Sequence, residues 1–128
     1  MTSLSFDHVH YRSSDFHKSR HFYVNVMGAI DLGPVELGGK SNLRFVLGGV
    51  TLLFASSGEK PAPPVPADKR LGVYHIAFLV ADCDAATEYY RKRGAEVAIK
   101  PFMASSDLKA SFLAAPDGMW VELKQIIS

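Results

Sequence analysis

Three side chains in this 128-residue sequence have the chemistry to hold a divalent metal: His8, His75 and Glu122. Neutral imidazole nitrogen and carboxylate oxygen are good donors to first-row divalent ions. Two His and one carboxylate also leave coordination positions open for substrate or water. A further histidine, His10, lies two residues beyond His8, which in an extended strand puts their Cα atoms roughly 6.5–7 Å apart on one face. His10 therefore reads in three ways: a general acid or base beside the metal, a fourth ligand in a His-x-His chelate, or part of the pocket wall. A lone histidine is more often an ordinary surface or core residue. The case for a site rests on where these residues fall in the chain.

They fall in a repeat. Phe6-Asp-His-Val-His-Tyr-Arg12 and Val73-Tyr-His-Ile-Ala-Phe-Leu-Val80 are both short strand-like runs with a histidine near the start. His8 and His75 are 67 residues apart, and the same offset carries Asp15 onto Asp82 and Phe22-Tyr23 onto Tyr89-Tyr90. Gly28 and Gly94 differ by 66, one residue out of register. Four matches in the same order argue for duplication.

Each half predicts the same elements. Asp15 and Asp82 suit helix N-caps, where a short side-chain oxygen satisfies free backbone N–H groups of the first turn. Phe16, Ser19, Phe22, Tyr23 and Val26 recur at helical spacing, as do Ala85, Ala86, Tyr89 and Tyr90. Gly28 and Gly94 stand where a left-handed residue ends each helix. Strands are expected over about 29–37, 42–47 and 50–55 in the first half, broken at Gly38-Gly39 and Gly48-Gly49. In the second half they are expected over about 95–100, 109–115 and 119–126, broken around Ser105-Ser-Asp107 and at Pro116-Asp-Gly118. The fold class is α+β: two tandem βαβββ modules whose mixed sheets curl into a cup with helices outside. Module 1 covers about residues 1–57 and module 2 about 72–128. A linker over about 58–71 contains Pro61-Ala-Pro-Pro-Val-Pro66, a semi-extended stretch.

Strand alternation then sorts the side chains. His8, His10 and Arg12 share one face of the first strand. His75, Ala77 and Leu79 oppose the apolar face of Ile76, Phe78 and Val80. Trp120, Glu122 and Lys124 oppose Met119, Val121 and Leu123. The better apolar face of each strand is expected to pack on the helices, which leaves His8, His75 and Glu122 facing the concavity.

Phe6-Asp-His-Val, Asp15 through Phe22-Tyr23, Tyr74-His-Ile-Ala-Phe-Leu-Val-Ala-Asp82 and Pro116-Asp-Gly-Met-Trp-Val-Glu-Leu123 resemble the vicinal oxygen chelate superfamily. That group includes glyoxalase I, methylmalonyl-CoA epimerase, extradiol dioxygenases, fosfomycin-modifying enzymes and bleomycin-resistance proteins. The resemblance covers essentially the whole chain, and the Pro-Asp-Gly hairpin followed by Val-Glu-Leu is its most specific part. It implies a divalent metal (Fe, Ni, Zn or Mn) held by His8, His75 and Glu122, a small oxygenated substrate, and a homodimer.

Some positions depart from the enzymes of the group. Aligning Val50-Thr-Leu-Leu-Phe54 with Val121-Glu-Leu-Lys-Gln125 puts Thr51 where glyoxalase I carries a Glu, and a threonine hydroxyl is too weak a base to replace it. Phe112 stands where extradiol dioxygenases have a Tyr, and their additional catalytic histidine is missing unless His10 substitutes. The phosphonate-binding pattern of the fosfomycin enzymes is not evident. Glyoxalase-like lyase or isomerase chemistry and extradiol-type ring cleavage both stay open. The alternative is a non-catalytic binder of the bleomycin-resistance kind, against which the ligand trio counts. Thr51, Phe112, Trp120 and Arg12 are expected to line the substrate pocket. Arg12, Arg44, Lys100, Lys109 and Lys124 are further candidates to hold an anionic group. His17 and His21 read as a solvated helix surface.

Composition narrows the partners. Fourteen Lys and Arg balance 13 Asp and Glu with no block of like charge, which argues against nucleic acid or an anionic membrane. No apolar run is long enough to span a bilayer, and the first residues lack the pattern of an export signal. The one cysteine, Cys83, rules out an internal disulfide and a thiolate metal cluster. A cytoplasmic location is expected.

Overall fold

The computed structural model describes residues 2–58 and 63–128. The chain forms two units, Met1–Pro61 and Ala62–Ser128, dividing inside the stretch expected as a linker. The first residues of that Pro-rich run lie outside the described residues.

In the first unit, strand β1 (His8–Ser13) leads into helix α1 (Phe16–Arg20), which widens into a π-helical stretch over His21–Val26. The Asp15 side chain caps α1 by accepting from the backbone N–H groups of His17 and Lys18 at 2.9 and 3.3 Å. Gly28 ends the helical run at φ 84°, in the left-handed region where the absence of Cβ matters. Strands β2 (Ile30–Asp31), β3 (Val35–Leu37), β4 (Lys40–Leu47) and β5 (Val50–Ser56) follow. The strand expected over 29–37 is thus two short pieces. Pro34 cannot donate to a ladder, and Gly33, at φ 81°, donates its N–H to the Asp31 side chain in the intervening turn. The sheet order is β1-β5-β4-β2, with β3 also on β4. β1 and β5, first and last in the unit, run parallel; the other pairs are antiparallel.

Phe22, Tyr23 and Val26 pack on the sheet face bearing Leu43, Phe45, Leu52 and Phe54, and all seven are buried. Tyr11 stacks on Phe54 in this layer at 5.0 Å between ring centroids. Its hydroxyl is buried without a partner among the described residues, and burial pushes its pKa up to about 12.

The second unit repeats the plan with β6 (Ile76–Leu79), α2 (Cys83–Lys92), β7 (Glu96–Ser105), β8 (Leu108–Ala114), a 3₁₀ turn at Pro116–Gly118, and β9 (Trp120–Ile126). Sheet order is β6-β9-β8-β7, and again the first and last strands pair in parallel. Asp82 caps α2 through the Ala85 N–H at 3.0 Å. The buried face of α2 differs from expectation: Cys83 and Thr87 are buried, whereas Ala85 and Tyr89 are exposed. The reason is polar. Thr87 and Ser111 of β8 share a hydrogen bond at 2.7 Å, and the Cys83 thiol lies 3.6 Å from the Ser111 hydroxyl and from the Leu123 carbonyl. Strand β7 runs past Pro101 to Ser105, beyond the expected end near residue 100. It is an edge strand with register shifts that absorb a residue unable to donate.

The Pro116-Asp-Gly118 turn places Asp117 at φ 64° and Gly118 at φ 74°. A Cβ on Gly118 would meet the Val65 carbonyl oxygen well inside van der Waals contact, whereas one on Gly49 (φ 81°) would meet nothing within 4 Å. Gly49→Ala should therefore cost about 1–2 kcal/mol of backbone strain. Gly118→Ala should cost clearly more, as measured by urea denaturation of the two variants in parallel.

Tyr11 yields a pH test. The unfolded phenol ionises near 10 and the folded one near 12. Between these values the unfolded chain holds fewer protons, so stability falls as pH rises. Tyr11→Phe should remove this component of the decline above pH 10 and match or exceed wild-type stability at pH 7, where a buried unpaired hydroxyl is also lost.

Candidate metal centre

Strand pairing decides which candidate residues can meet. In the second unit, parallel pairing sets Ala77 of β6 beside Glu122 of β9, and antiparallel pairing sets Phe112 of β8 opposite the same residue. The sheet face opposite α2 thus collects His75, Phe112, Trp120 and Glu122, as strand alternation predicts. The other face carries Val121 and Leu123, which are fully buried. His75 Nε2 lies 2.8 Å from Glu122 Oε2, with the two side chains 21% and 12% exposed. Aromatic rings wall the pair. The Phe112 ring is 5.0 Å from the His75 ring and 5.3 Å from Trp120, and Tyr74 lies 4.7 Å from His75.

The spacing suits a metal. Two ligands at about 2.1 Å from one ion, at right angles, stand about 3 Å apart. An ion could therefore replace the shared proton with little movement of either side chain. His75 Nδ1 is buried and has no partner among the described residues. Such an atom costs about 1–3 kcal/mol, which the fold tolerates in aiming Nε2 at Glu122.

In the first unit, the sheet face opposite α1 holds the cross-strand rows Val46-Thr51-His8 and Arg44-Leu53-His10, followed by Ala55 beside Arg12. Asp7 Oδ2 meets His8 Nδ1 at 2.6 Å. A carboxylate on one imidazole nitrogen orients the ring and raises the basicity of the other, the support typical of a ligating histidine. His10 Nε2 donates to Asn42 Oδ1 at 2.8 Å, and Asn42 Nδ2 donates to the Lys40 carbonyl at 3.1 Å. The second bond fixes which way the amide points, so the first fixes the tautomer: neutral His10 carries its lone pair on Nδ1. The His8 and His10 rings meet edge-on at 5.7 Å.

Register corrects one assignment. Glu122 pairs with the residue two beyond His75. The residue paired two beyond His8 is Leu53, opposite His10, whereas Thr51 lies opposite His8 itself. The first-module counterpart of Glu122 is therefore Leu53, and Thr51 corresponds to Trp120. Sequence alignment slipped by two because both choices keep the same face of the strand. Leucine can neither ligate nor accept a proton, so the first module has no carboxylate at this place.

Of the expected site residues, the structure joins His75, Glu122, Phe112 and Trp120 in the second unit, and His8, His10, Thr51 and Arg12 on one face in the first. In neither unit do three or more His, Cys, Asp or Glu side chains gather to hold a metal among the described residues. His17 and His21 are exposed, and Cys83 is buried. Asp7, Asn42 and Tyr74 were not anticipated as site residues. Asp7 had a signal in its adjacency to His8. Asn42 had none, because it meets His10 across an intervening strand.

Residues 5–123 match the model of the Glyoxalase/Bleomycin resistance protein/Dioxygenase superfamily, and the chain belongs to that superfamily, which includes enzymes and non-enzymes. Solved structures share the fold. A glyoxylase/bleomycin resistance protein/dioxygenase domain from Frankia sp. EAN1pec is 18% identical with a TM-score of 0.78, covering 98% of this chain and 99% of that one. A glyoxalase family protein from Enterococcus faecalis is 26% identical with a TM-score of 0.72, covering 94% and 96%. A glyoxalase/bleomycin resistance protein/dioxygenase from Nocardioides is 17% identical with a TM-score of 0.75, covering 100% and 87%. No curated protein matches the chain. No helix among the described residues is long and apolar enough to cross a membrane.

The hydrogen bonding of His10 predicts an NMR signature. Long-range ¹H–¹⁵N spectra should show the neutral ring protonated on Nε2. In Asn42→Ala that preference should relax toward a mixture of tautomers.

Proposed function

We propose that the protein is a metal-dependent enzyme acting on a small metabolite with adjacent oxygen atoms. His75 and Glu122 form the core of the metal site, and the family resemblance adds His8 as the third ligand. The observation that carries this reading is the 2.8 Å approach of His75 Nε2 to Glu122 Oε2 inside an aromatic wall. A bound Fe, Ni, Zn or Mn ion supplies Lewis acidity to the substrate oxygens.

The remaining chemistry falls to the chain. Leu53 removes the first module's carboxylate, so proton transfer passes to His10, whose fixed tautomer leaves Nδ1 as the accepting atom. Phe112, Trp120 and Tyr74 exclude water beside the ligand pair and present a flat apolar surface. A positioned base favours lyase or isomerase chemistry. Extradiol-type ring cleavage is the alternative within the same ligand set, and an iron ion would select it. A homodimer and a cytoplasmic location belong to this proposal.

A second reading, binding without chemistry, draws on the half-exposed Tyr74 stacked near Phe112 and Trp120, with ring centroids 6.4 and 6.1 Å away. Elemental analysis of protein purified without a chelating tag separates the two. Near-stoichiometric metal is expected, reduced at least tenfold in His75→Ala and Glu122→Ala. His10→Ala should keep its metal and, once a substrate is found, lose about 10²-fold or more in kcat. No metal in the wild type, even after reconstitution with each ion, would overturn the enzyme reading in favour of a binding protein.

A further inference from the structure

We propose that a cavity on the first unit is an oxyanion subsite, which takes the carboxylate or phosphate group of the substrate. The assignment to substrate rests on the functional reading above; binding of the anion itself does not. The cavity measures about 360 Å³ and is lined by His10, Lys40, Ser41, Asn42, Ala55 and Ser56 among others. That is at the small end of ligand pockets, a fit for a head group with a short carbon skeleton.

The cavity owes its shape to Ala55. Ala55 of β5, beside Arg12, offers only a methyl group to the cavity wall, and Asn42 of β4 reaches His10 of β1 across that strand. A larger side chain in place of Ala55 would fill the space. The Asn42 amide is spent on His10 and on the Lys40 carbonyl, and it acts as a buried strut. Lys40 has no carboxylate partner among the described residues, and Ser41 and Ser56 also line the space.

Charge makes the site selective. The strand face that includes the cavity carries the cations Lys40, Arg44 and Arg12, and among the described residues its only nearby carboxylate is Asp7, which is engaged by His8. Arg44 on this face keeps a buried Nε without a partner among the described residues. A second cavity, of about 440 Å³ between α2 and β7, shows the contrast. There Asp84 and Glu88 stand among the cations, and Glu88 binds Arg91 at 2.6 and 2.8 Å. Its positive charge is largely cancelled, while that of the first cavity is not. A cation surrounded by donors and lacking an internal counter-charge selects a small anion.

The test is an NMR titration of ¹⁵N-labelled, metal-stripped full-length protein at constant ionic strength, with inorganic phosphate and, separately, acetate. Saturable shifts are expected at Ser41, Ser56 and the His10 ring. Lys40→Gln, at an exposed position, should weaken saturation about tenfold or more, whereas Lys100→Gln in the second cavity should leave it unchanged. The anion that saturates at lower concentration identifies a phosphorylated or a carboxylated substrate. Shifts scattered over surface lysines and arginines, or unchanged affinity in Lys40→Gln, would overturn the subsite. Metal is absent throughout, so a failure here leaves the metal reading standing, and a protein that binds no metal can still pass.

Discussion

In each module the first strand lies parallel to the last, β1 beside β5 and β6 beside β9. A parallel pair cannot be closed by a tight hairpin and needs a crossover connection. The crossover begins with the helix, which covers one face of the sheet and buries Leu52 and Phe54 in one module, Val121 and Leu123 in the other. The opposite face is then fixed without further choice. Histidines at the start of the first strand come to lie beside the start of the last, and His75 meets Glu122 across 46 residues of intervening chain.

The two modules use this shared plan differently. The second places a carboxylate two residues along from the strand-paired neighbour of its histidine and surrounds the pair with aromatic rings. The first has leucine at that place and a second histidine opposite it, braced by an asparagine. One half of the duplication brings a histidine and a carboxylate within hydrogen-bond distance; the other presents cations and a histidine held by an asparagine. This division follows from a few substitutions on the sheet faces turned away from the helices. Val121 and Leu52, at matching positions beneath, remain fully buried in both modules.

Polar groups kept at a cost mark the same regions. His75 Nδ1 and Arg44 Nε are buried without partners among the described residues, one beside the contact with Glu122 and the other on the cationic face. Tyr11 also carries an unpartnered buried hydroxyl, but it lies in the helix-covered layer, stacked on Phe54. Its hydroxyl has no evident use there. By contrast, Ser13 and Ser19 bond to each other at 2.6 Å, as Thr87 and Ser111 do at 2.7 Å, and so fill the helix–sheet contacts of the two modules with satisfied pairs.

The sequence by itself determined the duplication, the helix caps at Asp15 and Asp82, the left-handed glycines after each helix, and the strand faces that carry His8, His75 and Glu122. These are local properties: a period of two or 3.6, a capping oxygen, a residue without Cβ. Only the tertiary structure decided which side chains meet. It replaced Thr51 with Leu53 as the counterpart of Glu122, because a shift of two residues preserves every face and leaves no trace in the pattern. It joined Asn42 to His10 across β5, a contact between non-adjacent strands that no local pattern encodes. It moved the buried face of α2 to Cys83 and Thr87, because a hydroxyl on the sheet needed a partner. Alternation fixes the direction of a side chain, and strand register, set by the packing of the whole sheet, fixes its neighbour.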